Sequence, residues 1–460
     1  MDPAPPTVLR FDRGTLLLEH VPDGEVPDGF VFDARVQLWR APAIHYHRVV
    51  MDLHTRKLPY DDQARAYTVL GRRHRSERVP RDYQEEAVAA WRERRRRGVV
   101  VLPTGAGKSF VAELAIALCD RSALVVAPTL DLVGQWYDSL RRAFGGPVGI
   151  VGGGVHEVED LTVTTYDSAY LHVERYGARF GLVVFDEVHH LPGPTYAQSA
   201  EGSLAPFRLG LTATLERPDG SHAVVDDLVG PVVYRRGIRD LAGTFLAPYR
   251  TELLEVALTD EERSAYEACQ ERYRSFKNSR GIGGGKGGWN MFLREAARSS
   301  EGRLALKSWR QGRQILQGNR AKLARVEELL RRHHDDRVLV FTNDNATVYR
   351  LSRALLLPAI THQTDLKERT QLLRDFAEGV LPVLVTSRVL NEGVDLPAAD
   401  VAIVLSGTST VREHVQRLGR ILRPQEGKQA VLYELVVEGS TEQFASQRRR
   451  DHDAYRADPA

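Results

Sequence analysis

Short apolar runs recur along the chain, and most are followed by a stretch in which apolar residues return at helical spacing. Nine runs predict buried strands: GVVVLPT, SALVVAPT, LTVTTY, GLVVFDE, FRLGLTAT, RVLVFTND, PVLVTS, DVAIVLS and AVLYELVV. Continuous apolar strands that alternate with helices are typical of parallel sheets covered by helices on both faces. The pattern therefore predicts an α/β protein.

The nine runs form two groups, one ending near Tyr234 and one starting near Asp336, which indicates two separate parallel sheets. Ahead of them, LRFDRGTLLLEH and GFVFDARVQLW predict short strands of a smaller domain that ends near Glu77. The predicted parts are an N-terminal domain, a first α/β domain, a second α/β domain and a helical insert within the second: residues 1–77, 78–245, 246–460 and about 259–335.

Length and composition agree with this layout. A chain of 460 residues suits two or three domains, and 42% hydrophobic with 27% charged residues is typical of globular proteins. The start, MDPAPPTVLR, lacks the basic and then apolar pattern of a secretory signal, so we expect a cytoplasmic location. Cys119 and Cys269 lie far apart, which predicts two buried thiols rather than a disulfide or a zinc site.

Positive charge is concentrated in one segment. The chain has a net charge of +2, whereas residues 272–325 hold fourteen Lys or Arg and two acids, a net +12. The same segment contains the glycine-rich run RGIGGGKGGW. It also contains five aromatic residues: Tyr273, Phe276, Trp289, Phe292 and Trp309. Such a segment favours nucleic-acid binding, with bases stacked on aromatic rings. The alternative is a solvated helical face with the aromatic side chains packed inward.

The sequence LPTGAGKS indicates a phosphate-binding loop between a strand and a helix. Gly105 and Gly107 allow the tight turn that points backbone N–H groups and a helix N-terminus at an anion. Lys108 is expected to reach the outer phosphates and the Ser109 hydroxyl to ligate Mg²⁺. The first position of the general pattern is Leu102, where glycine is usual.

A second motif, GLVVFDEVHH, ends a buried strand in two adjacent carboxylates. Beside a phosphate loop, Asp186 can hold Mg²⁺, and Glu187 can orient and deprotonate the attacking water. The third motif is HVQRLGRILRP, in which Arg420 and Arg423 are three residues apart and share a helix face. These arginines suit charge stabilisation at a γ-phosphate, and a basic surface helix is the alternative.

Taken together and in this order, the motifs resemble the superfamily 2 helicases, and within them the XPB family, most closely its archaeal form. The matching stretches are RDYQEEAV, LPTGAGKS, APTLDLVGQW, TTYDSAY, FDEVHHLP, FRLGLTATLERPDG, LVFTNDN, PAITHQT, VTSRVLNEGVDLP and QRLGRILRP. The resemblance implies two RecA-like parallel-sheet domains. It also implies that the N-terminal stretches form a damage-recognition domain and that the basic insert is a thumb.

The resemblance also implies roles for individual residues. Gln84 would read the adenine, and His189 with Thr212 and Thr214 would couple the ATP state to the grip on DNA. Five residues of the second α/β domain would complete the site across a cleft: Gly393, Asp395, Gln416, Arg420 and Arg423. The predicted DNA contacts are Arg217 and Asp219, which the resemblance implies, and Arg280, Lys286 and Trp289 of the basic insert.

Two positions depart from the family pattern. Where XPB relatives carry Arg-Glu-Asp after Thr-Ala-Thr, this chain has Arg217-Pro218-Asp219, and Ser109 replaces the more usual threonine. A hydroxyl at position 109 is chemically equivalent to that of threonine. Proline at position 218 removes a charge and a backbone donor, which favours weaker strand separation without an effect on ATP hydrolysis. The alternative is that position 218 only shapes the turn.

The predicted function is that of a DNA-dependent ATPase of the XPB type, which uses ATP and Mg²⁺ and acts as a 3′-to-5′ helicase in repair or transcription. The expected partners are single-stranded, forked or bubble DNA and a nuclease protein, with no membrane. Two alternatives stay open. One is a duplex translocase that remodels without unwinding, and the other is a DNA-binding module that uses ATP only as a switch.

Overall fold

The computed structural model describes residues 6–22, 24–215, 220, 223–241, 245, 249–387, 399–405, 430–443 and 446. The chain divides into two compact units. The first consists of Met1–Leu102 with Gly107–Arg236, and the second of Pro103–Ala106 with Gly237–Ala460. Three sheets form their frameworks, two of five and eight strands in the first unit and one of six strands in the second.

The five-stranded sheet, here called the leading sheet, has the strand order β3-β4-β2-β1-β5. Its strands are β1 Thr7–Asp12, β2 Thr15–Glu19, β3 Val31–Asp33, β4 Leu38–Pro42 and β5 Tyr60–Asp62. The β1–β2 hairpin turns at Arg13 and Gly14, which both have positive φ, as a tight hairpin turn requires. Helix α1 (Tyr46–Thr55) follows a short 3₁₀ helix, Ala43–His45, and buries Val49 and Leu53 in the core of this sheet.

The eight-stranded sheet has the order β13-β6-β12-β11-β7-β10-β8-β9. Its strands are β6 Arg97–Val101, β7 Ala123–Ala127, β8 Gly149–Gly152, β9 Val155–His156, β10 Leu161–Thr165, β11 Leu182–Asp186, β12 Phe207–Thr212 and β13 Val232–Arg235. Its helices are α2 Asp82–Glu93, α3 Lys108–Cys119, α4 Leu130–Phe144, α5 Tyr166–Tyr176, α6 Pro194–Glu201 and α7 Val224–Leu228, with a 3₁₀ helix at Val188–His190. Strand pairs are parallel except β8–β9.

The six-stranded sheet is parallel throughout, with the order β14-β19-β18-β15-β17-β16. Its strands are β14 Tyr249–Val256, β15 Val338–Phe341, β16 Ala359–Ile360, β17 Val383–Thr386, β18 Val401–Val404 and β19 Ala430–Val437. The helices among the described residues of this unit are α8 Ile238–Leu241, α9 Asp260–Ser279, α10 Gly285–Arg298, α11 Ser300–Gly318, α12 Arg320–Arg332, α13 Asn345–Leu355 and α14 Leu366–Ala377. The predicted α/β class with two parallel sheets is confirmed.

All nine apolar runs form strands, and their side chains are buried on both faces, as in β11 and β18. Between β14 and β15 the chain forms α9, α10, α11 and α12, so the basic segment is helical. Cys119 and Cys269 are buried free thiols, as predicted. Within the described residues, no helix combines the length and apolar character needed to cross a membrane.

Candidate functional site

Three neighbouring strands of the eight-stranded sheet bring the predicted ATP-site residues together. In the parallel pairs β6–β12 and β11–β12, Val101 pairs with Thr212 and Asp186 with Leu211. The carboxyl ends of these strands therefore meet at one edge of the sheet, which is where open α/β sheets place their ligands. The Leu102 N–H donates to the Thr212 carbonyl at 3.0 Å and ties the start of the phosphate loop to the end of β12.

The phosphate loop has the backbone that its glycines predict. Gly105 and Gly107 have φ values of 87° and 78°, in the left-handed region that side chains with a Cβ disfavour. Gly107 is the N-cap of α3, so Lys108 and Ser109 occupy the first turn of that helix. In the same loop the Thr104 hydroxyl is buried, with no hydrogen-bond partner in the part of the chain that the structure describes. A helix N-terminus behind two such glycines is suited to a phosphate group.

Lys108 points toward the acidic pair. Its Nζ lies 3.8 Å from Glu187 Oε1 and 3.4 Å from the Leu102 carbonyl oxygen. The side chains of Lys108 and Glu187 are only 10% and 14% exposed, so little solvent screens their attraction. The structure thus brings the cation of one motif to the carboxylate of another, seventy-nine residues away in the sequence.

Asp186 ends β11 and is 7% exposed. Burial and the neighbouring Glu187 carboxylate raise the pKa of Asp186 to about 6. One of its oxygens accepts a hydrogen bond from the Glu187 N–H at 3.0 Å. Two adjacent carboxylates in a poorly hydrated site repel each other, and a divalent cation relieves that repulsion. The residues present, Asp186 and the exposed Ser109 hydroxyl, therefore fit the Mg²⁺ that the motif implies.

The three predicted coupling residues lie in one hydrogen-bonded cluster with Glu187. Thr212 Oγ1 is 3.2 Å from Glu187 Oε2 and 3.0 Å from His189 Nδ1, and that same nitrogen is 3.3 Å from Glu187 Oε2. The Thr214 N–H donates to Thr212 Oγ1 at 3.2 Å. Glu187 itself has a φ of 48°, a strained backbone for a residue with a Cβ. This geometry joins the carboxylate pair to the end of β12.

Gln84 lies against the phosphate loop. It is 5% exposed, and its Oε1 accepts a hydrogen bond from the Arg81 N–H at 3.0 Å, which closes a capping box at the start of α2. A Cβ added to Gly107 would lie 2.5 Å from Gln84 Nε2, so a larger residue at this position would displace the amide from the loop. The residue implied to read adenine is therefore next to the residue that starts α3.

Two residues at the site were missed by the sequence analysis. The Trp136 indole N–H, on α4, donates to Asp186 Oδ2 at 2.8 Å, and the Tyr166 hydroxyl, on α5, donates to the Asp186 carbonyl at 2.9 Å. Both side chains are almost fully buried. The only sequence signal was the position of each residue within a matched stretch, APTLDLVGQW and TTYDSAY.

Trp136→Phe should lower ATP turnover about tenfold and raise the Mg²⁺ concentration needed for half-maximal turnover. The change deletes one hydrogen bond to a carboxylate, a loss of about 1.5–3 kcal/mol, and frees Asp186 to rotate. Turnover measured across a Mg²⁺ titration checks this. Trp91→Phe is the matched control, because the Trp91 indole donates at 2.8 Å to a backbone carbonyl, that of Arg208. Equal Mg²⁺ dependence in both variants would contradict the assignment.

Several predicted residues lie outside the described residues, and the structure says nothing of their positions: Arg217, Asp219, Gly393, Asp395, Gln416, Arg420 and Arg423. Their roles stay predictions. The side chain of Lys286 is likewise outside the described part, although its backbone belongs to α10.

In the basic insert the aromatic residues mostly pack inward. Phe276 and Phe292 are buried, and Trp289 is half-buried between the rings of Phe292 and Trp309, with centroid distances of 5.3 and 4.6 Å. This favours the second of the two interpretations for these rings. The basic side chains are placed differently: Arg280, Arg294, Lys307 and Arg310 are among those exposed.

Three family profiles match the chain. Residues 9–64 match the Xeroderma pigmentosum group B helicase damage recognition domain, residues 77–217 the Type III restriction enzyme res subunit, and residues 321–425 the helicase conserved C-terminal domain. The first match covers the leading sheet. The second covers the phosphate loop, the carboxylate pair and the Thr212 cluster.

The relatives are similar over most of this chain. DNA 3'-5' translocase XPB2 of Sulfurisphaera tokodaii is 41% identical over 81% of this chain and 84% of the relative. DNA 3'-5' helicase XPB of Mycobacterium tuberculosis is 32% identical over 77% of this chain and 60% of the relative. General transcription and DNA repair factor IIH helicase/translocase subunit XPB1 of Arabidopsis thaliana is 26% identical, and the match spans 48% of its length.

Among solved structures, the Pyrococcus furiosus Hef helicase domain matches with a TM-score of 0.55 and 20% identity. The match covers 80% of this chain and 98% of the other. At this identity the likeness concerns the fold, which is that of two RecA-like domains.

Proposed function

We propose that this chain hydrolyses ATP in response to DNA and moves along DNA with 3′-to-5′ polarity, because it belongs to the XPB family of superfamily 2 DNA helicases. The observation that carries the proposal is the convergence of Lys108, Asp186 and Glu187 with the Thr212 cluster at one sheet edge. A site that only binds ATP has no need of a buried carboxylate poised as a base.

The phosphate loop and the carboxylates divide the chemistry between them. Lys108 and the N-terminus of α3 attract the phosphates, and Gln84 selects the base beside them. Ser109 and Asp186 would hold Mg²⁺, which supplies positive charge to the phosphates when bound. Glu187 orients a water molecule and accepts its proton as the bond to the γ-phosphate breaks. Thr212 and His189 restrain the Glu187 carboxylate, so its direction depends on the end of β12.

In this proposal, the contacts between Glu187 and the end of β12 couple ATP hydrolysis to DNA binding. The Thr214 N–H donates to Thr212 Oγ1, whose hydroxyl lies 2.9 Å from the Thr214 carbonyl and 3.2 Å from Glu187 Oε2 and can donate to one of them at a time. Thr214 leads into the segment that contains Arg217 and Asp219. We propose that a change at Glu187 during turnover alters this segment and with it the grip on DNA. Gly393, Asp395, Gln416, Arg420 and Arg423 are proposed to complete the site from the second α/β domain.

The exposed cations of the basic insert are proposed to bind the DNA backbone. Changing Arg294, Lys307 and Arg310 together to Gln should weaken DNA binding and flatten its dependence on salt. Each lost phosphate contact makes the negative slope of log K against log salt less steep by about 0.7 on single strands or about 0.9 on duplex. Fluorescence anisotropy at several salt concentrations checks this, with Arg353→Gln, an exposed cation on α13, as the control. An unchanged slope would show that these residues only solvate the insert.

The experiment that tests the function measures ATP hydrolysis and strand separation in parallel on single-stranded, forked and bubble DNA. A helicase hydrolyses ATP and separates the fork. A remodelling translocase hydrolyses ATP on the forked DNA without separating its strands, and this alternative is favoured by Pro218 in place of glutamate. An ATP-switched binding module shows no sustained hydrolysis on any substrate, which would overturn the proposal.

The name of the Arabidopsis thaliana relative and the match of the leading sheet to a damage recognition domain support a role in DNA repair or transcription. A nuclease partner and a cytoplasmic location are also part of the proposal. Co-purification of the full chain with a DNA-cleaving activity checks the partner, using forked DNA as substrate. The absence of any such activity across salt conditions would count against it.

A further inference from the structure

A segment here called the strap, residues 64–80, connects the leading sheet to α2 and lies along α3. At one end, the N–H groups of Leu70 and Gly71 donate to Asp120, the C-cap of α3, at 3.2 and 2.9 Å. Further on, the Arg75 N–H donates to the Ala143 carbonyl of α4 at 2.7 Å. The strap is thus fastened to the helix that carries the phosphate-binding residues.

The strongest contact between strap and helix involves a buried carboxylate that the ATP site does not use. Glu113, on α3, is 0% exposed. Its Oε2 accepts a hydrogen bond from Arg78 of the strap at 2.8 Å and lies 3.5 Å from His74 Nε2, and its Oε1 accepts from Ser139 of α4 at 2.6 Å. A buried carboxylate is stable only when it is paired in this way, so removing Arg78 leaves its charge poorly compensated.

The same two strap residues also contact an aromatic ring of α3. The Arg78 guanidinium carbon lies 4.4 Å from the centroid of the Phe110 ring, in a cation–π contact. His74 packs between Phe110 and Phe144, with ring centroids 5.9 and 5.4 Å away. Phe110 directly follows Ser109, and Glu113 lies one helical turn after Ser109 on the same face. The strap therefore holds the first two turns of α3.

The strap continues into α2, whose Gln84 is six residues after Arg78 and lies against Gly107. Two anchors therefore hold this part of the chain against α3: Arg78 of the strap pairs with Glu113, and Gln84 of α2 lies against Gly107, the N-cap of α3. The first anchor is independent of nucleotide, whereas the second is formed by the residue proposed to read the base. Loosening the first anchor leaves the position of Gln84 relative to the phosphate loop less restrained.

We infer that Arg78 and Glu113 form a positioning pair that sets Gln84 at the correct distance from the phosphate loop and so contributes to the selection of adenine nucleotides. Neither residue touches nucleotide. Their effect is transmitted through α2 and α3, the elements that carry Gln84 and Lys108. This inference rests on the proposed function, because it takes ATP as the nucleotide and Gln84 as the reader of its base.

The test compares the binding of ATP and GTP by displacement of a fluorescent ADP analogue from the full chain. Glu113→Gln and Arg78→Gln should each weaken ATP binding about three- to tenfold, with a smaller effect on GTP, so that the preference for ATP falls. The double variant should be no worse than the single variants, because both break one interaction. Arg78→Lys should restore part of the preference, since it keeps the charge but not the flat guanidinium over Phe110.

Arg73→Gln is the matched control, since Arg73 is an exposed arginine of the strap. The preference of this variant for ATP over GTP should equal that of the wild type. A purely structural role predicts lower thermal stability with an unchanged ratio of ATP to GTP affinity, and that result would overturn the inference. Arg78 is largely exposed, so its variant keeps the test valid if Glu113→Gln does not fold. If the wild-type protein binds ATP selectively but never hydrolyses it, the proposed function is wrong, whereas the positioning role of Arg78 and Glu113 is not contradicted.

Discussion

Replacing Glu187 by Gln leaves ATP bound and lowers its turnover at least ~100-fold. The amide has the same length and can keep a hydrogen bond to Thr212, but it cannot accept the proton of the attacking water. The carboxylate now lies 3.8 Å from Lys108 Nζ and 3.2 Å from Thr212 Oγ1, which fixes its direction before nucleotide arrives. Turnover and ATP affinity measured on the same preparation separate the loss of chemistry from a loss of binding.

Glu174→Gln is a suitable control for that experiment, because Glu174 is an exposed carboxylate on α5 in the same unit. It should behave as the wild type does. Turnover within a few-fold of wild type in Glu187→Gln would rule out Glu187 as the base, and another group would have to activate the water.

Lys108→Ala has the second large effect, a loss of ATP affinity of at least ~100-fold together with the loss of turnover. The lysine is the first residue of α3 and, together with the helix N-terminus, supplies positive charge to the proposed phosphate site. Its removal also deletes the ion pair between Lys108 and Glu187, so the repulsion between the two carboxylates increases. Displacement of a fluorescent ADP analogue measures the affinity.

Lys367→Ala removes an exposed lysine from α14 and serves as the comparison, with no expected change. An ATP affinity in Lys108→Ala equal to that of the wild type would show that the loop backbone alone holds the phosphates. The role assigned to the lysine would then be wrong.

The sequence predicted the central strands because each is a continuous apolar run buried on both faces. It missed strands at or near sheet edges, where that signal is weak. Strand β14, YRTELLEV, is not a continuous apolar run and lies at the edge of its described sheet beside β19, and β9 and β16 contain two residues each. Short or one-sided strands are defined by their neighbours more than by their own composition.

The ATP-site motifs were predictable because phosphate loops and paired carboxylates depend on residues close together in the chain. Trp136 and Glu113 were not, because their partners are far away: Asp186 is fifty residues from Trp136, and Arg78 is thirty-five residues from Glu113. The aromatic residues of the basic insert allowed two interpretations, namely stacking on bases or packing inward. The packing between α9, α10 and α11 shows that Phe276 and Phe292 pack inward. Composition alone does not tell which face of a helix is covered.

The most direct test of the central claim is the rate of ATP hydrolysis by the full chain without DNA and with DNA strands of increasing length. A protein that moves along DNA hydrolyses more ATP before it dissociates from a longer strand. The expected result is therefore a low rate without DNA that rises with strand length to a plateau. A rate that DNA of any length leaves unchanged would contradict the account.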